Sequence, residues 1–327
     1  MKQIKAGVIG VGYLGRFHAQ KYAALPGVEL VGVADVDTVR AQEVATECGC
    51  SAYTDYRELV AAIDAVSIVV PTSLHHPVAK YCIERGVDLL LEKPMTVTLA
   101  EADELIELAD RHNSVFQVGH LERFNPAVMA IKPFLTTPVF IESNRISTFK
   151  QRGVDVDVVL DLMIHDIDII LTIIDSPLKT IHTVGAPVVT GTTDIANARL
   201  IFENGATANI TVSRISLTNI RKMRIFQPGS YINVDFANKK VMTIKLGEGV
   251  LASGMPKHDI EVESFAGQDA LYNEIEHFID HVRRRATPIV SGSDGRKALE
   301  VVLQVMDQIR EHQSLELFSR IKTSTGP

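Results

Sequence analysis

The chain reads as an α/β protein in two parts: a doubly wound parallel sheet, then an α+β domain built on a large, open, mainly antiparallel sheet. Three observations lead there. Short apolar runs alternate with helical patterns through the first third, which calls for right-handed crossovers and a parallel sheet. A glycine turn, Gly10-x-Gly12-x-x-Gly15, joins the first apolar run to the first helical one. Past residue 120 the rhythm changes to alternating runs separated by turn signals, the pattern of antiparallel strands. A length of 327 residues suits two domains, expected at 1–120 and 121–327.

In the first domain, strands are predicted at Ile4–Ile9, Glu29–Ala34, Ala65–Val70, Asp88–Leu91 and Ser114–Val118, with helices at Phe17–Ala24, Val39–Cys48, Tyr56–Ala62, His76–Arg85 and Leu99–His112. In the second, Val139–Thr148 alternates like a half-exposed strand, and Ala198–Phe202 with Thr207–Ser213 forms a hairpin around Asn204-Gly205. Arg221–Phe226, Tyr231–Phe236, Val241–Leu246 and Ile260–Phe265 continue the sheet. Helices are expected at Phe124–Phe134, Asp157–Ile174, Ala270–Arg285 and Asp294–Gln313, and low order at Thr323–Pro327. Ile225, Ile232, Val234, Phe236 and Ile244 are expected not to share one side of the sheet. An apolar outer face follows, and with it a homodimer or homotetramer through that sheet; a charged, solvated face is the alternative.

The glycine turn carries a mechanical argument. Gly10 allows the tight turn, Gly12 lets the backbone approach a pyrophosphate, and Gly15 lets the helix pack against the strand. Tyr13 and Leu14 stand within the turn, and the helical run that follows from about Arg16 offers free N–H groups and a positive dipole end to phosphate. Twenty residues past Gly15 stands Asp35, placed to accept hydrogen bonds from a ribose. Its charge opposes a 2′-phosphate, so the unit reads as a Rossmann domain for NAD. Arg40, close behind it, leaves room for NADP.

Composition excludes several classes. A net charge of −7 argues against a nucleic-acid surface. The most apolar stretch, Val154–Ile174, is broken by aspartates and a histidine, so no membrane span is expected. The glycine motif begins at once, leaving no leader pattern ahead of it. Cys48, Cys50 and Cys82 make no disulfide framework, and a cytoplasmic enzyme acting on a small molecule fits.

Candidate chemistry lies at strand ends. Glu92-Lys93-Pro94 follows the strand Asp88–Leu91, where parallel sheets bind ligands. Lys93 there can relay a hydroxyl proton or stabilise an alkoxide; a plain ion pair with Glu92 is the other reading. Pro71, Thr72 and His75 follow the strand Ala65–Val70 and can line the nicotinamide side, or form an ordinary helix entry. Asp161 and His165, four apart in a helix, share a face on which a carboxylate can hold an imidazole, with Asp168 continuing the stripe. A metal at Asp155, Asp157, Asp161 and His165 lacks a completing cluster, so none is expected. Arg123, Arg145, Arg214, Arg221, Lys222 and Arg224 either cluster for a diphosphate or are scattered charge.

Together, Gly10–Gly15, Asp35, Pro71-Thr72-Ser73-Leu74-His75, Glu92-Lys93-Pro94, Gly119–Pro126 and Asp161–His165 resemble the Gfo/Idh/MocA oxidoreductase family over nearly the whole chain. The resemblance implies an NAD(P)-dependent sugar or polyol oxidoreductase with Lys93, His165 and Asp161 catalytic. It also implies cofactor contacts from the glycine turn through Glu92, Lys93 and Pro94. Two departures stand out: Leu162-Met163-Ile164 where the family often has glycine, and Thr72 where it usually has asparagine. The stretch Gly119–Ala127 resembles the branch acting on nucleotide-linked amino sugars, such as UDP-N-acetylglucosamine oxidised at C3. Arg123, Asn125 and His165 would then contact the substrate. A free polyol dehydrogenase of the inositol type and a non-catalytic NAD sensor are the alternatives.

Overall fold

A computed structural model describes residues 3–149, 156–251 and 253–314; Asp155 and Thr323–Pro327 lie outside them. It divides into two compact units. The first comprises the chain up to Phe124 together with Asp269–Leu299; the second comprises Asn125–Gln268 and the residues from Glu300.

The first unit alternates strand and helix: β1 (Ile4–Ile9), α1 (Tyr13–Ala24), β2 (Val28–Ala34), α2 (Thr38–Cys48), β3 (Ser51–Tyr53), α3 (Tyr56–Val60), β4 (Ala65–Ile68), α4 (His75–Ile83), β5 (Asp88–Glu92), α5 (Leu99–His112) and β6 (Phe116–Gly119). The strands form one parallel sheet in the order β3-β2-β1-β4-β5-β6. The order reverses between β1 and β4, so a crevice opens at their carboxyl ends. Local chemistry sets the helix starts. Asp37 caps α2 through the Arg40 N–H, and Thr98 with Glu101 forms a capping box on α5.

The second unit starts with α6 (Pro126–Ile131) and β7 (Phe140–Thr148). A π-helical turn, Val159–Met163, then leads into α7 (Ile164–Ile173). The strands β8 (Leu178–Ala186), β9 (Ile195–Phe202), β10 (Thr207–Ser216), β11 (Ile220–Gln227), β12 (Ser230–Asp235), β13 (Lys240–Val250) and β14 (Pro256–Ser264) follow; the chain then gives α8 (Ala270–Arg284), which counts with the first unit, and α9 (Gly292–Gln313), which counts with the first unit up to Leu299. The sheet runs β14-β13-β12-β11-β7-β10-β9-β8; β7 and β10 are parallel and every other pair antiparallel.

Two expectations are corrected here, one strand is added, and the expectation that the five apolar residues do not all share one side stands, through Ile244 alone. The cut at residue 120 misses that α8 returns to the first unit. Leu271, Ile275, Phe278, Ile279 and Val282 form one apolar stripe on α8 and share a core with Val8, Ala19, Tyr22 and Leu90. The helix expected at Phe124–Phe134 is only α6, with 3-10 turns on either side. Strand β8 was not foreseen, because its inward positions include Thr183 and Gly185, which hide the alternation; a Cβ at Gly185 would press on Ile309 of α9 at 2.8 Å. Ile225, Ile232, Val234 and Phe236 are all buried, since positions 232, 234 and 236 alternate to one face and Ile225 pairs with Ile232. Ile244 alone points the other way. Phe140, Phe226, Tyr231, Ile244 and Ile260 pair in one row across that opposite face.

Candidate active site

Two glycines of the turn are required by the protein's own packing. Gly10 has φ +85°, and a Cβ there would lie 2.4 Å from the Val69 carbonyl oxygen. A Cβ on Gly15 would sit 1.9 Å from the Gly10 oxygen. Gly12, which caps α1, is different: its φ is −64° and a Cβ would meet no atom within 4 Å. The space beside Gly12 is open, as a dinucleotide's pyrophosphate at a helix N-terminus demands. A cleft of about 550 Å³ runs along this end of the sheet, walled by Gly10, Gly12, Asp35, Val36, Arg40, Thr54, Tyr56, Pro71 and Leu74 among others.

Asp35 directly follows β2, with its carboxylate held in place. Oδ2 accepts from the Val11 N–H at 2.9 Å and Oδ1 from the Asp37 N–H at 2.9 Å. Arg40 lies 3.5 Å from Oδ2 and 3.1 Å from Asp37, on the exposed side. The cleft thus gathers Gly10, Gly12, Asp35, Arg40 and Pro71, and the residue set fits a dinucleotide. Thr54 and Tyr56 were missed, since nothing in their sequence setting distinguishes them from other loop residues.

Thr72 opens a 3-10 turn, and His75 starts α4, buried. The His75 Nδ1 lies 2.9 Å from the Pro94 carbonyl and Nε2 2.9 Å from the Val70 carbonyl. His75 therefore braces the segment after β4 against the turn after β5. Burial holds its imidazole below the usual range against the pull of the two carbonyls; the neutral ring donates to one of them and only packs against the other.

Lys93 follows β5, half-buried, joined to Pro94 by a cis peptide bond. The surface-pair reading of Glu92 does not hold, because that side chain is buried. Its Oε2 accepts from the Lys93 backbone N–H at 3.2 Å, and its Oε1 lies 3.2 Å from His18 Nε2. His18 Nδ1 lies 3.0 Å from Ser67 Oγ, which lies 2.9 Å from the Tyr22 hydroxyl. Gly119 on β6 makes room, since a Cβ there would come within 3.0 Å of the Glu92 carboxyl. Sequence reading missed this interior chain. Its signals were Ser67 inside an apolar strand and His18 with Tyr22 on the buried stripe of α1.

In the second unit, Asp161 is exposed within the π turn and His165 is half-buried one residue into α7. The i→i+5 bond from the Ile164 N–H to Val159 marks a local irregularity of the kind found at functional sites. Beneath them Asp166 is fully buried. It receives two bonds from Arg145 of β7, Nε to Oδ2 at 2.9 Å and Nη2 to Oδ1 at 3.0 Å. Asp168 is buried too.

Of the two readings of the basic residues, the ion pairs favour dispersed charge over a diphosphate cluster. Arg145 is spent on Asp166, Arg214 lies against Asp194 and the Thr193 carbonyl, Arg224 pairs with Glu142, and Lys222 lies 3.5 Å from Asp235. Arg123 belongs to the first unit, where it donates to the Ile289 carbonyl and lies 3.8 Å from Asp294. Asn125 is buried as the cap of α6 and donates to the Phe236 carbonyl. Both substrate candidates therefore have structural employment. Among the described residues no group of three His, Cys, Asp or Glu is set to hold a metal, and no helix is long and apolar enough to cross a membrane.

A doubly wound sheet with a fitted dinucleotide cleft, followed by this mixed sheet, defines a class, and comparison with known proteins agrees. The chain belongs to the GFO/IDH/MocA oxidoreductase family: the NAD-binding Rossmann domain profile matches residues 4–120, and the family's C-terminal domain profile matches residues 141–226. It is 40% identical to UDP-N-acetylglucosamine 3-dehydrogenase of Acidithiobacillus ferrooxidans, over 93% of this chain and 97% of that protein. A solved structure of that enzyme superposes with a TM-score of 0.88 over 93% of this chain and 97% of the other. The scyllo-inositol 2-dehydrogenase (NAD(+)) of Bacillus subtilis is 28% identical over 96% of both chains.

Proposed function

We propose that this chain oxidises the C3 hydroxyl of UDP-N-acetylglucosamine with NAD. The full-length 40% identity to a 3-dehydrogenase of that sugar carries the reading, against 28% for the inositol enzyme. The site chemistry is compatible with it. In this reading His165 takes the hydroxyl proton, and Asp161 polarises its ring. Lys93 steadies the oxygen as negative charge develops on it. The bound dinucleotide supplies the hydride acceptor. The Asp35 carboxylate disfavours a 2′-phosphate, so NAD is preferred over NADP.

The test is growth of NADH absorbance with NAD and UDP-N-acetylglucosamine, compared with scyllo-inositol. Turnover of the nucleotide sugar, with a 3-keto product, is expected. Turnover of the polyol alone would sink the proposal. We further propose a cytoplasmic homo-oligomer closed through the row Phe140, Phe226, Tyr231, Ile244 and Ile260. Light scattering should give a mass of two or four chains, and Tyr231→Asp should lower it.

A further inference from the structure

The interior behind Lys93 holds more ionisable groups than the chemistry above employs. Glu274, on α8, is 0% exposed, and neither of its oxygens meets a hydrogen-bond donor among the described residues. Gln117 of β6 binds the Glu274 backbone carbonyl, not its carboxyl. The charge acting on Glu274 is that of Glu92, so two buried carboxyls oppose one another within one unit. An ionised carboxylate without a donor is among the costliest groups to bury. Glu92, by contrast, has the Lys93 N–H, His18 and the Lys93 charge to hold it ionised. The groups facing the pair are His18 and Tyr22 from α1, Lys93 from the end of β5 and His75 from α4. His277, one turn along α8 from Glu274, binds Gln117.

One polarity suits the chain from Tyr22 to Glu92. The Tyr22 hydroxyl donates to Ser67, the Ser67 hydroxyl donates to His18 Nδ1, and the proton is left on His18 Nε2, which lies 3.2 Å from Glu92 Oε1 without the alignment of a hydrogen bond. We propose that Glu92, His18 and Glu274 form a buried support for Lys93 that carries a single negative charge. Glu92 bears it, His18 is a positioning residue that orients Glu92 against the Lys93 backbone, and Glu274 is kept as the neutral acid. Burial and the Glu92 charge raise the Glu274 carboxyl well above its ordinary 4.5, in agreement. The catalytic consequence rests on the role of Lys93 proposed above; the protonation state does not.

Infrared difference spectra of the wild-type chain against Glu274→Gln decide the charge state without any substrate. A protonated carboxyl band present in the wild type and absent from the variant is expected; its absence from both would overturn the proposal. Stability supplies a second reading. A raised carboxyl pKa gives stability that is full below 4.5 and lost as pH rises through the folded value, so the wild type should lose melting temperature relative to Glu274→Gln on alkalinisation. A constant difference would count against it. For positioning, His18→Asn keeps a group near Ser67 but cannot reach Glu92, whereas His18→Gln can present an N–H there. We expect kcat to fall about tenfold in His18→Asn with KM within about twofold, and to recover in His18→Gln. Equal kcat in both variants would remove the positioning role. If the wild type itself turns over no nucleotide sugar, the functional proposal fails while the infrared result still judges this one.

Discussion

Lys93 and His165 are held in place by opposite means. Lys93 stands on a chain of neutral and singly charged groups, Glu92, His18, Ser67 and Tyr22, drawn from neighbouring strands and α1. His165 stands on a π-to-α junction tied to its sheet by one doubly bonded ion pair, Arg145 with Asp166. The first arrangement spreads its polar burden over many partners, linked by hydrogen bonds from Tyr22 to Ser67 and from Ser67 to His18, with His18 Nε2 set 3.2 Å from Glu92. The second concentrates it in two full charges, each of which is costly to bury once the other is gone. Damage to the support of Lys93 should therefore be graded, and damage to that of His165 abrupt.

Substitutions can break that contrast, beginning with the most severe. Gly15→Ala drives a Cβ to 1.9 Å from a backbone oxygen, and we expect it to yield little folded protein; a soluble variant with wild-type melting would show the turn to be more plastic than described. Arg145→Met strands Asp166 and should cost about 3–5 kcal/mol of stability in denaturant titration. The double variant Arg145→Met with Asp166→Leu should regain most of that loss. If the double variant is as unstable as the single one, the ion pair is not what fixes α7. Gly12→Ala sharpens the comparison from the other side. It meets open space and should melt with the wild type, yet weaken NAD binding about tenfold or more by calorimetry, ~1.4 kcal/mol. Unchanged affinity would mean that the pyrophosphate does not lie against that glycine.

The motif residues were legible because their reasons are local. The helix begins at Tyr13, ahead of the expected Phe17, but a turn needing φ +85° at Gly10 and an acid just after β2 follow from neighbours in sequence. The same holds for Lys93 after a fully buried strand. Glu274 was not legible. It lies 182 positions from Glu92, on a helix whose stripe announces burial but not which core receives it. The arginines were open in the sequence, as a diphosphate cluster or as scattered charge, because a sequence does not reveal that Asp166, Asp194 and Glu142 lie opposite them.

Alternation of apolar and helical runs, spaced glycines and strand-end acids were enough to determine a doubly wound cofactor domain and an antiparallel-rich companion, because each arises from backbone sterics and periodicity within a few residues. Tertiary structure alone decided that α8 rejoins the first unit, that Ile225 of β11, Ile232 and Val234 of β12 and Phe236 just beyond it share one face, and that Glu274 is buried within reach of the Glu92 charge. Those outcomes depend on burial and charge between residues far apart in the chain, and such long-range pairings are settled only when the whole core packs.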